Sequence, residues 1–198
     1  MRIAGLVLAG GRSSRMAPRN KLLESVGGEP MVHCVAAVAL AGGAMPVIVV
    51  TGHEAPTVAA ALRGLNVTIV ANPDYAEGLS TSLREGLRAL PAGIDGALIL
   101  LGDMPEVEAS VLGALMVAFT GTNAICVPAR HGRRGNPVLW GSAYFAEMME
   151  LTGDSGAKLF MARHEAQLIE VEVMTDSIFE DVDAPEDLAR LKRSGATS

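Results

Sequence analysis

Cysteine, aromatic residues and long apolar runs are all scarce in this 198-residue chain. The two cysteines, Cys34 and Cys126, lie far apart and without His/Cys ligand spacing, which argues against a disulfide scaffold or a zinc site. Aromatic residues are 4% of the chain while hydrophobic residues are 49%, so we expect a core of Val, Ile, Leu, Ala and Met. The length suits one domain, and we predict a single domain over residues 1–198 with a frayed tail at 193–198.

The composition also argues against membrane and nucleic-acid partners. No run approaches the roughly 18 apolar residues of a membrane span, and the amino-terminal run Ile3–Ala9 is too short for a signal peptide. The net charge of −6 differs from the basic footprint of a general nucleic-acid-binding protein. We therefore expect a cytoplasmic protein that contacts neither a membrane nor nucleic acid.

The charges that are present are unevenly distributed. The first 21 residues carry four arginines and one lysine and no acid, whereas the stretch from Glu165 to Asp187 is acidic. A basic loop and a distant acidic segment could meet around a metal–phosphate complex, or they could be two solvated faces; the charge pattern alone fits both interpretations.

Short apolar runs alternate with longer helical segments along the chain. Runs that are apolar on both faces suit parallel strands covered by helices, so the pattern predicts a three-layer α/β fold with a doubly wound, mostly parallel, Rossmann-like sheet. Further strands are expected at Gln167–Val173 and Ile178–Val182, and a last helix from about Pro185. The other predicted strands are Ile3–Ala9, Pro46–Thr51, Val67–Ala71, Ala97–Leu101 and Ala124–Pro128, and the helices are Met31–Leu40, Ala55–Arg63, Leu79–Leu90 and Glu106–Phe119.

The first predicted strand runs into a glycine pair followed by basic residues. In such sheets ligands bind at the carboxyl ends of the strands, and glycines let backbone N–H groups approach an anion closely. Arg15 and Lys21 would add the positive charge that a polyphosphate needs. The spacing matches neither a Walker loop nor a dinucleotide fingerprint, and a plain glycine turn with solvated basic residues is the alternative.

Aspartates follow two other predicted strands. Asp103 comes directly after a buried run, where a carboxylate suits Mg²⁺, although it could instead be a helix N-cap. Asp181 and Asp183 alternate on a predicted strand and would share one face, and Asp183 could also be a cap. Carboxylates gathered from both places would repel each other unless a cation lies between them.

These three motifs together resemble the MobA-like NTP transferase family, and within it most closely the molybdenum cofactor cytidylyltransferases. The motif Leu-Ala-Gly-Gly-x-Ser-x-Arg-Met-x-x-x-x-Lys begins at Leu8, Gly-Asp-Met-Pro begins at Gly102, and Asp-Val-Asp-x-Pro-Glu-Asp-Leu begins at Asp181. The resemblance extends from Ile3 to about Leu191. One departure is Ala17, which stands where the family has glycine after Arg-Met and which tightens the loop.

The resemblance implies a role for each matching residue. Lys21, Arg15 and Asp103 would be catalytic. Asp103 would bind Mg²⁺ with Asp183 as second ligand, and whether Asp181 also binds the metal stays open. A serine cap is the alternative for the segment from Gly78 to Ser82, which resembles a base-reading segment. The nucleotide-binding residues would be Leu8, Ala9, Gly10, Gly11, Arg12, Asn72, Gly78, Ser80 and Ser82.

Two later stretches favour the cytidylyl branch. Arg133–Val138 resembles its Arg-Gly-x-Pro-Val segment, and Gly153–Ala157 resembles its Gly-Asp-x-Gly-Ala turn, which would open a helix. An arginine fork and helical N–H groups suit a phosphate, although surface loops are the alternative for both. The acceptor-binding residues would be Arg134, Gly135, Asn136, Asp154 and Ser155.

The implied reaction moves CMP from CTP to the terminal phosphate of the molybdenum–molybdopterin cofactor with Mg²⁺ and releases pyrophosphate. A transient contact with a molybdenum hydroxylase would follow. The alternatives are guanylyl or other nucleotidyl transfer to molybdopterin or another small phosphate, and a non-catalytic carrier of the molybdenum cofactor. A paralogue that only binds nucleotide is a further alternative, against which the retention of Lys21, Asp103 and Asp183 argues.

Overall fold

The computed structural model describes residues 1–153 and 156–194 and is organised around one large sheet. Its strands are β1 (Ile3–Ala9), β4 (Val47–Thr51), β5 (Thr68–Ala71), β6 (Gly96–Leu101), β7 (Ile125–Arg130), β8 (Arg133–Arg134), β9 (Val138–Gly141) and β10 (Leu168–Glu172), while β2 (Ser25–Val26) and β3 (Glu29–Pro30) form a separate pair. The helices are α1 (Met31–Ala41), α2 (Ala55–Ala61), α3 (Leu79–Arg88), α4 (Ala109–Ala118), α5 (Phe145–Met148), α6 (Gly156–Arg163) and α7 (Pro185–Ser194).

The strand order is β10-β7-β9-β6-β1-β4-β5, with β8 paired to β7. Strands β5, β4, β1 and β6 run parallel, β10 is parallel to β7, and β9 is antiparallel to both of its neighbours. The chain passes from β1 to β4 and β5 on one side and returns to β6 on the other. The loops after β1 and β6 therefore diverge from adjacent strand ends, where Leu8 pairs with Leu101, and a ligand-binding crevice is expected there.

Helices cover both faces of the sheet, which confirms the predicted doubly wound α/β fold. The whole of β1 is buried, and its side chains alternate between two cores. Val7 belongs to the core that includes residues of α1, α2 and α4, whereas Leu6 and Leu8 belong to the core that includes residues of α3, α5 and α6. The apolar runs are thus continuous because each strand is packed on both sides.

A third, small apolar cluster attaches α7 next to the loop that follows β1. Leu188 and Leu191 of α7 pack with Val182, with Met16 of the loop and with Met31 at the start of α1. All five side chains are at most 8% exposed. This packing holds the segment that precedes α7 beside the amino-terminal loop, although the two are remote in sequence.

Most predicted elements are present within one to three residues of their predicted ends, but the strand predicted at Ile178–Val182 is wrong. Ser177–Phe179 forms a 3-10 turn, and the chain from Glu180 to α7 is irregular. Ile178 is buried against Gly135, and its carbonyl accepts a hydrogen bond from the Asn136 backbone N–H at 2.9 Å, so the apolar pattern reflects burial of a turn.

Two further differences concern short segments. Strand β9 was not predicted from the sequence; it has four residues and runs antiparallel between β6 and β7. Of the predicted tail, Arg193 and Ser194 belong to α7, and residues 195–198 lie outside the described residues. Among the helices of the described residues, none combines the length and the apolar character needed to cross a membrane.

Glu106 gives a prediction for stability against pH. Burial, a hydrogen bond with Glu180 and the charge of Glu180 raise the pKa of Glu106 to about 7. The folded state therefore favours the protonated carboxyl, and stability falls as pH rises from the ordinary pKa towards 7. We expect Glu106→Gln to stabilise the protein more at pH 8.5 than at pH 6.0, with a difference of about 1 kcal/mol at most because the group is only partly buried.

Urea unfolding of both proteins at the two pH values measures this difference. Glu108→Gln is the matched control, because Glu108 is an exposed carboxylate of the same segment. A gain from Glu106→Gln that is the same at both pH values would contradict the coupling between the two glutamates.

Candidate active site

The two glycines after β1 have different structural roles. A Cβ on Gly10 would lie 2.6 Å from the Ser82 hydroxyl, so the backbone there packs directly against α3. A Cβ on Gly11 would meet nothing within 4 Å, and this residue lines an open cleft. Gly10 therefore holds the loop in place, while Gly11 leaves backbone accessible to an anion.

Ser13 and Asn20 position Lys21, a role that the sequence analysis missed. Ser13 has a left-handed backbone (φ 51°), its hydroxyl accepts the Lys21 backbone N–H at 3.2 Å, and it donates to the Asn20 side-chain oxygen at 3.3 Å. Asn20 is 5% exposed and also accepts the Leu22 N–H at 3.1 Å. The serine of the loop motif and the polar residue directly before the lysine were the available signals.

Lys21 brings together the two aspartates that the sequence analysis singled out. Its Nζ lies 2.7 Å from Asp103 Oδ2 and 2.7 Å from Asp183 Oδ1, and its side chain is only 12% exposed. Arg15 contacts the other Asp183 oxygen at 2.6 Å. A cationic loop and two carboxylates from distant segments thus converge on one cluster, as predicted.

The ion pairs decide the protonation states in this cluster. Burial alone would lower the pKa of Lys21, but the charges and hydrogen bonds of Asp103 and Asp183 raise it above its ordinary value. The hydrogen bond from Lys21, together with the charges of Lys21 and Arg15, lowers the pKa of Asp183 despite its partial burial. The cluster therefore favours a charged Lys21 beside an ionised Asp183.

Helix capping does not explain either aspartate. Asp103 lies well before α4, which begins at Ala109. At the start of α7 the capping carboxylate is that of Asp187, which accepts the backbone N–H groups of Asp183 and Ala184 at 3.2 and 2.9 Å. The Asp183 carboxylate is left to face Lys21 and Arg15.

The donor set fits a divalent cation that is also bound by phosphate. Asp103 Oδ1 is buried and has no hydrogen-bond partner, so a lone-pair donor is available beside the carboxylate of Asp183. Within the described residues no group of three or more His, Cys, Asp or Glu side chains could hold a metal. Two carboxylates completed by phosphate oxygens and water are what Mg²⁺ prefers.

Asp181 has a different place from the one expected. Because no strand forms there, Asp181 and Asp183 do not share a strand face. Asp181 is exposed as a whole residue, but partial desolvation of its carboxyl by neighbouring groups, together with the charges of Asp183 and Asp103, raises its pKa. It adds negative potential to the cluster without a contact to Lys21.

The polar side chains of the predicted base-reading segment are buried, and all but one of those in the described structure are hydrogen-bonded to each other. Asn72 is 3% exposed, donates to Thr81 Oγ1 at 2.8 Å and to Ser82 Oγ at 3.0 Å, and accepts the Asp74 N–H at 2.9 Å. Asn72 and Ser82 thus fix the start of α3, for which Gly78 provides a φ of 114°. Ser80 differs, because its hydroxyl is buried and has no hydrogen-bond partner in the described structure.

The predicted acceptor residues are also mostly engaged within the protein. Arg134 donates to both oxygens of Glu165, at 2.6 and 2.9 Å, and to Glu170 at 2.7 Å, and these bonds raise its pKa. A Cβ on Gly135 would overlap the Ile178 carbonyl, which also accepts the Asn136 N–H. Asp154 and Ser155 lie outside the described residues, so their assignment stays a prediction.

Two connected cavities open at the ends of β1 and β6. The first, which we call the anion cleft, has a volume of about 260 Å³ and is lined by Gly11, Arg12, Ser13, Arg15, Lys21, Asp103 and Asp183. The second, the apolar cavity, has a volume of about 350 Å³ and lies between α3, β6, β9 and α6. Both are bounded by Leu8, Leu79 and Leu101, so a ligand could extend from one into the other.

Comparison with known proteins supports a nucleotide-transferring site. A family model described as the MobA-like NTP transferase domain matches residues 5–168. Molybdenum cofactor guanylyltransferase from Cereibacter sphaeroides is 30% identical over 195 residues, which cover 96% of this chain and 95% of that protein. Nicotine blue oxidoreductase from Paenarthrobacter nicotinovorans is 28% identical over 197 residues, with 96% of each chain covered.

Solved structures share the complete fold. A nucleotidyl transferase from Methanothermobacter superimposes with a TM-score of 0.87 at 28% identity, over 99% of this chain and 98% of that one. A protein from Mycobacterium tuberculosis, determined in complex with manganese, has a TM-score of 0.80 at 27% identity and covers 98% of this chain and 100% of its own.

Lys21 gives a prediction for metal binding in the absence of nucleotide. Its ammonium contacts one oxygen of Asp103 and one of Asp183 and places a positive charge between the two carboxylates, where a divalent cation would bind, so the two cations compete. We expect Lys21→Met to increase the affinity for Mn²⁺ alone by about tenfold or more, which corresponds to about 1.4 kcal/mol. Titration followed by electron paramagnetic resonance measures free Mn²⁺ directly.

The matched control is Arg12→Met, which removes the same unit charge from the anion cleft but leaves the ion pairs of Lys21 in place. If both variants change Mn²⁺ affinity equally, the effect is one of net charge and direct competition is ruled out.

Proposed function

This chain belongs to the MobA-like NTP transferase family, and we propose that it transfers CMP from CTP to the terminal phosphate of a molybdopterin-type cofactor. We also propose that the whole chain forms one nucleotidyltransferase domain. Transfer of a nucleotidyl group is the activity of the family, and the base and the acceptor are the proposed part.

The observation that carries the proposal is the contact of Lys21 with both Asp103 and Asp183 at the edge of the anion cleft. An ion pair that only stabilises the fold would need one carboxylate for Lys21, whereas Lys21 contacts two. Two carboxylates with a largely buried lysine, an arginine and an open glycine backbone offer the charges that a nucleoside triphosphate with a divalent cation requires. Asp103 and Asp183 would hold the cation, which neutralises phosphate charge when bound.

In the proposed reaction an oxygen of the acceptor phosphate attacks the α-phosphorus of the nucleotide. The new oxygen–phosphorus bond forms as the bond from the α-phosphorus to the bridging oxygen breaks, and pyrophosphate leaves with that electron pair. The acceptor phosphate is already an anion near neutral pH, so no side chain has to remove a proton. Catalysis then consists of alignment and charge stabilisation by Lys21, Arg15 and the Gly11 backbone.

Lys21 would change partners during this reaction. Without ligand it bridges Asp103 and Asp183, and a bound triphosphate offers it phosphate oxygens instead. Release of the two carboxylates would then coincide with arrival of the nucleotide. Binding of the cation and of the nucleotide is expected to be cooperative for this reason.

Sequence resemblance supports the choice of CTP as the nucleotide. The Arg133–Val138 stretch favours CTP, whereas the relative from Cereibacter sphaeroides is named for guanylyl transfer to the same class of cofactor. Guanylyl transfer is therefore the nearest alternative.

An oxidoreductase is a second candidate function, because a relative of nearly full-length similarity is named nicotine blue oxidoreductase. The cation–carboxylate cluster has no evident use in a redox reaction. Incubation with nicotine blue and an added reductant, followed by absorbance, tests this candidate, and turnover of the dye without pyrophosphate release from any NTP would favour it. Tight binding of molybdopterin with no pyrophosphate release and no redox activity would favour a carrier.

We expect pyrophosphate release only with an NTP, Mg²⁺ or Mn²⁺ and molybdopterin-type acceptor together, and faster with CTP than with GTP, ATP or UTP. A coupled pyrophosphate assay across the four nucleotides measures the ranking. Preference for GTP would refute the CTP assignment and retain the class of reaction, and no release with any nucleotide would refute nucleotidyl transfer.

Asp103→Asn tests the site itself. We expect pyrophosphate release to fall by about 100-fold or more, because the carboxylate charge at the cation is lost while the shape of the side chain is kept. Thermal unfolding should change little. Asp176→Asn is the control, since Asp176 is an exposed aspartate paired with Arg130 away from the anion cleft, and it should keep normal turnover. Normal turnover by Asp103→Asn would disprove its role.

A further inference from the structure

Asp103 and Asp183, the two proposed metal ligands, lie on two segments that are joined directly through their backbones. Asp103 follows the end of β6, and Asp183 precedes the start of α7. The backbone N–H of Val182 donates to the Asp103 carbonyl oxygen at 2.9 Å. How closely these two segments approach each other therefore determines how far apart the two carboxylates lie.

A side-chain contact joins the same two segments. Glu106, which comes shortly after Asp103, forms a hydrogen bond with Glu180, which comes shortly before Asp183. Both glutamates line a small cavity of about 60 Å³. Two carboxyl groups can be hydrogen-bonded to each other only while one of them carries a proton, because an ionised carboxylate has no donor. Loss of that proton would leave two negative charges that repel each other.

The backbone around both glutamates is anchored in the apolar cores. The buried side chains on either side of Glu106 and of Glu180 are those of Met104, Val107, Ile178 and Val182, and each is at most 5% exposed. The two carboxyl groups therefore face each other from fixed backbone. A change from attraction to repulsion between them acts on the two segments and, through these, on the metal-binding carboxylates.

Three other charged groups line the cavity with this pair, namely Asp181, Asp187 and Arg190. Asp187 is bound to the backbone at the start of α7 and lies 3.5 Å from Arg190. Burial, followed by the hydrogen bond and the charge of Glu180, outweighs the opposing charge of Arg190 and raises the pKa of Glu106 to about 7. The shared proton is therefore largely present at pH 6.0 and largely absent at pH 8.5.

We infer that the hydrogen bond between Glu106 and Glu180 is a positioning contact, which holds the two metal-binding carboxylates at the separation that a single divalent cation requires. The inference rests on the part of the proposed function in which Asp103 and Asp183 hold that cation. Neither glutamate lines the anion cleft, so neither is a ligand itself. Breaking the contact should weaken metal binding without removing a ligand.

Titration of the whole protein with Mn²⁺ alone, followed by electron paramagnetic resonance at pH 6.0 and 8.5, tests this inference. Glutamine can donate a hydrogen bond to the Glu180 carboxylate at both pH values, so Glu106→Gln keeps the contact at each. We expect the wild-type protein and Glu106→Gln to bind Mn²⁺ equally at pH 6.0. At pH 8.5 the wild-type protein should bind it about tenfold more weakly than Glu106→Gln, because ionised Glu106 repels Glu180.

The sign of the difference at pH 8.5 separates positioning from simple electrostatic attraction. Ionised Glu106 is an additional negative charge, and attraction alone would make the wild-type protein bind Mn²⁺ more tightly than Glu106→Gln. Tighter or equal binding by the wild-type protein at pH 8.5 would overturn the inference. Glu108→Gln is the matched control, because Glu108 is an exposed carboxylate of the same segment outside the cavity, and it should bind Mn²⁺ as the wild-type protein does.

A double-mutant cycle at pH 6.0 shows whether the two glutamates act through each other. We expect Glu106→Leu and Glu180→Leu each to weaken Mn²⁺ binding about tenfold, and the double variant to weaken it no further, because either substitution already removes the contact. Losses that multiply to about 100-fold in the double variant would mean that the two side chains act independently, contrary to the inference.

Hydrogen exchange of the Val182 amide measures the contact between the segments without any metal. After correction for the intrinsic exchange rate, its protection in the wild-type protein should fall between pH 6.0 and 8.5, whereas in Glu106→Gln it should stay constant. The same protection in both proteins at pH 8.5 would contradict the proposed coupling between the glutamates and the segments.

The outcomes for metal binding and for turnover distinguish this inference from the proposed function. Mn²⁺ binding that depends on Glu106 as expected, without pyrophosphate release from any nucleotide, would support the positioning contact and refute nucleotidyl transfer. Pyrophosphate release together with Mn²⁺ binding that is the same in the wild-type protein and Glu106→Gln at pH 8.5 would refute the positioning contact and leave nucleotidyl transfer in place.

Discussion

The arrangement of the whole site depends on the ion pairs that Lys21 makes with Asp103 and Asp183. The three residues come from the loop after β1, from the end of β6 and from the segment before α7, and no local interaction could bring them together. Two features of the fold do so. The parallel pairing of β1 with β6 places the first two loops side by side, and the small apolar cluster of Met16, Met31, Val182, Leu188 and Leu191 attaches the third. Carboxylates so close together are stable only with a cation between them.

Much of this fold could be predicted because its signals are local. Strands such as β1 and β4 are short aliphatic runs between turn residues, and α3 has a polar side that identifies it as a helix. The carboxyl-end rule for parallel sheets then gives the location of Lys21 and Asp103 without coordinates. Asp183 was singled out from a predicted strand that does not form, and its role as a second metal ligand came from the resemblance to a family.

What could not be predicted depends on tertiary contacts. Ile178 is apolar because it packs on Gly135, and an apolar residue in a buried turn has the same sequence signature as one in a strand. The four residues of β9 are too few to show a period, and their antiparallel direction follows only from pairing with β6 and β7. The hydrogen bonds of Arg134 with Glu165 and Glu170 likewise cannot be predicted from a motif, because the partners lie 31 and 36 residues away in the sequence.

Strand β9 runs antiparallel to its neighbours β6 and β7 and so separates the sheet into two parts. The loops after β1 and β6 hold Lys21 and Asp103, the chain after β10 carries Asp183, and β9 supports the wall on the other side of β6. Mutations in β9 can therefore change the cavity beside the nucleotide while the charged groups keep their geometry. Such a division allows homologous proteins to acquire different substrates while they keep the same charged site.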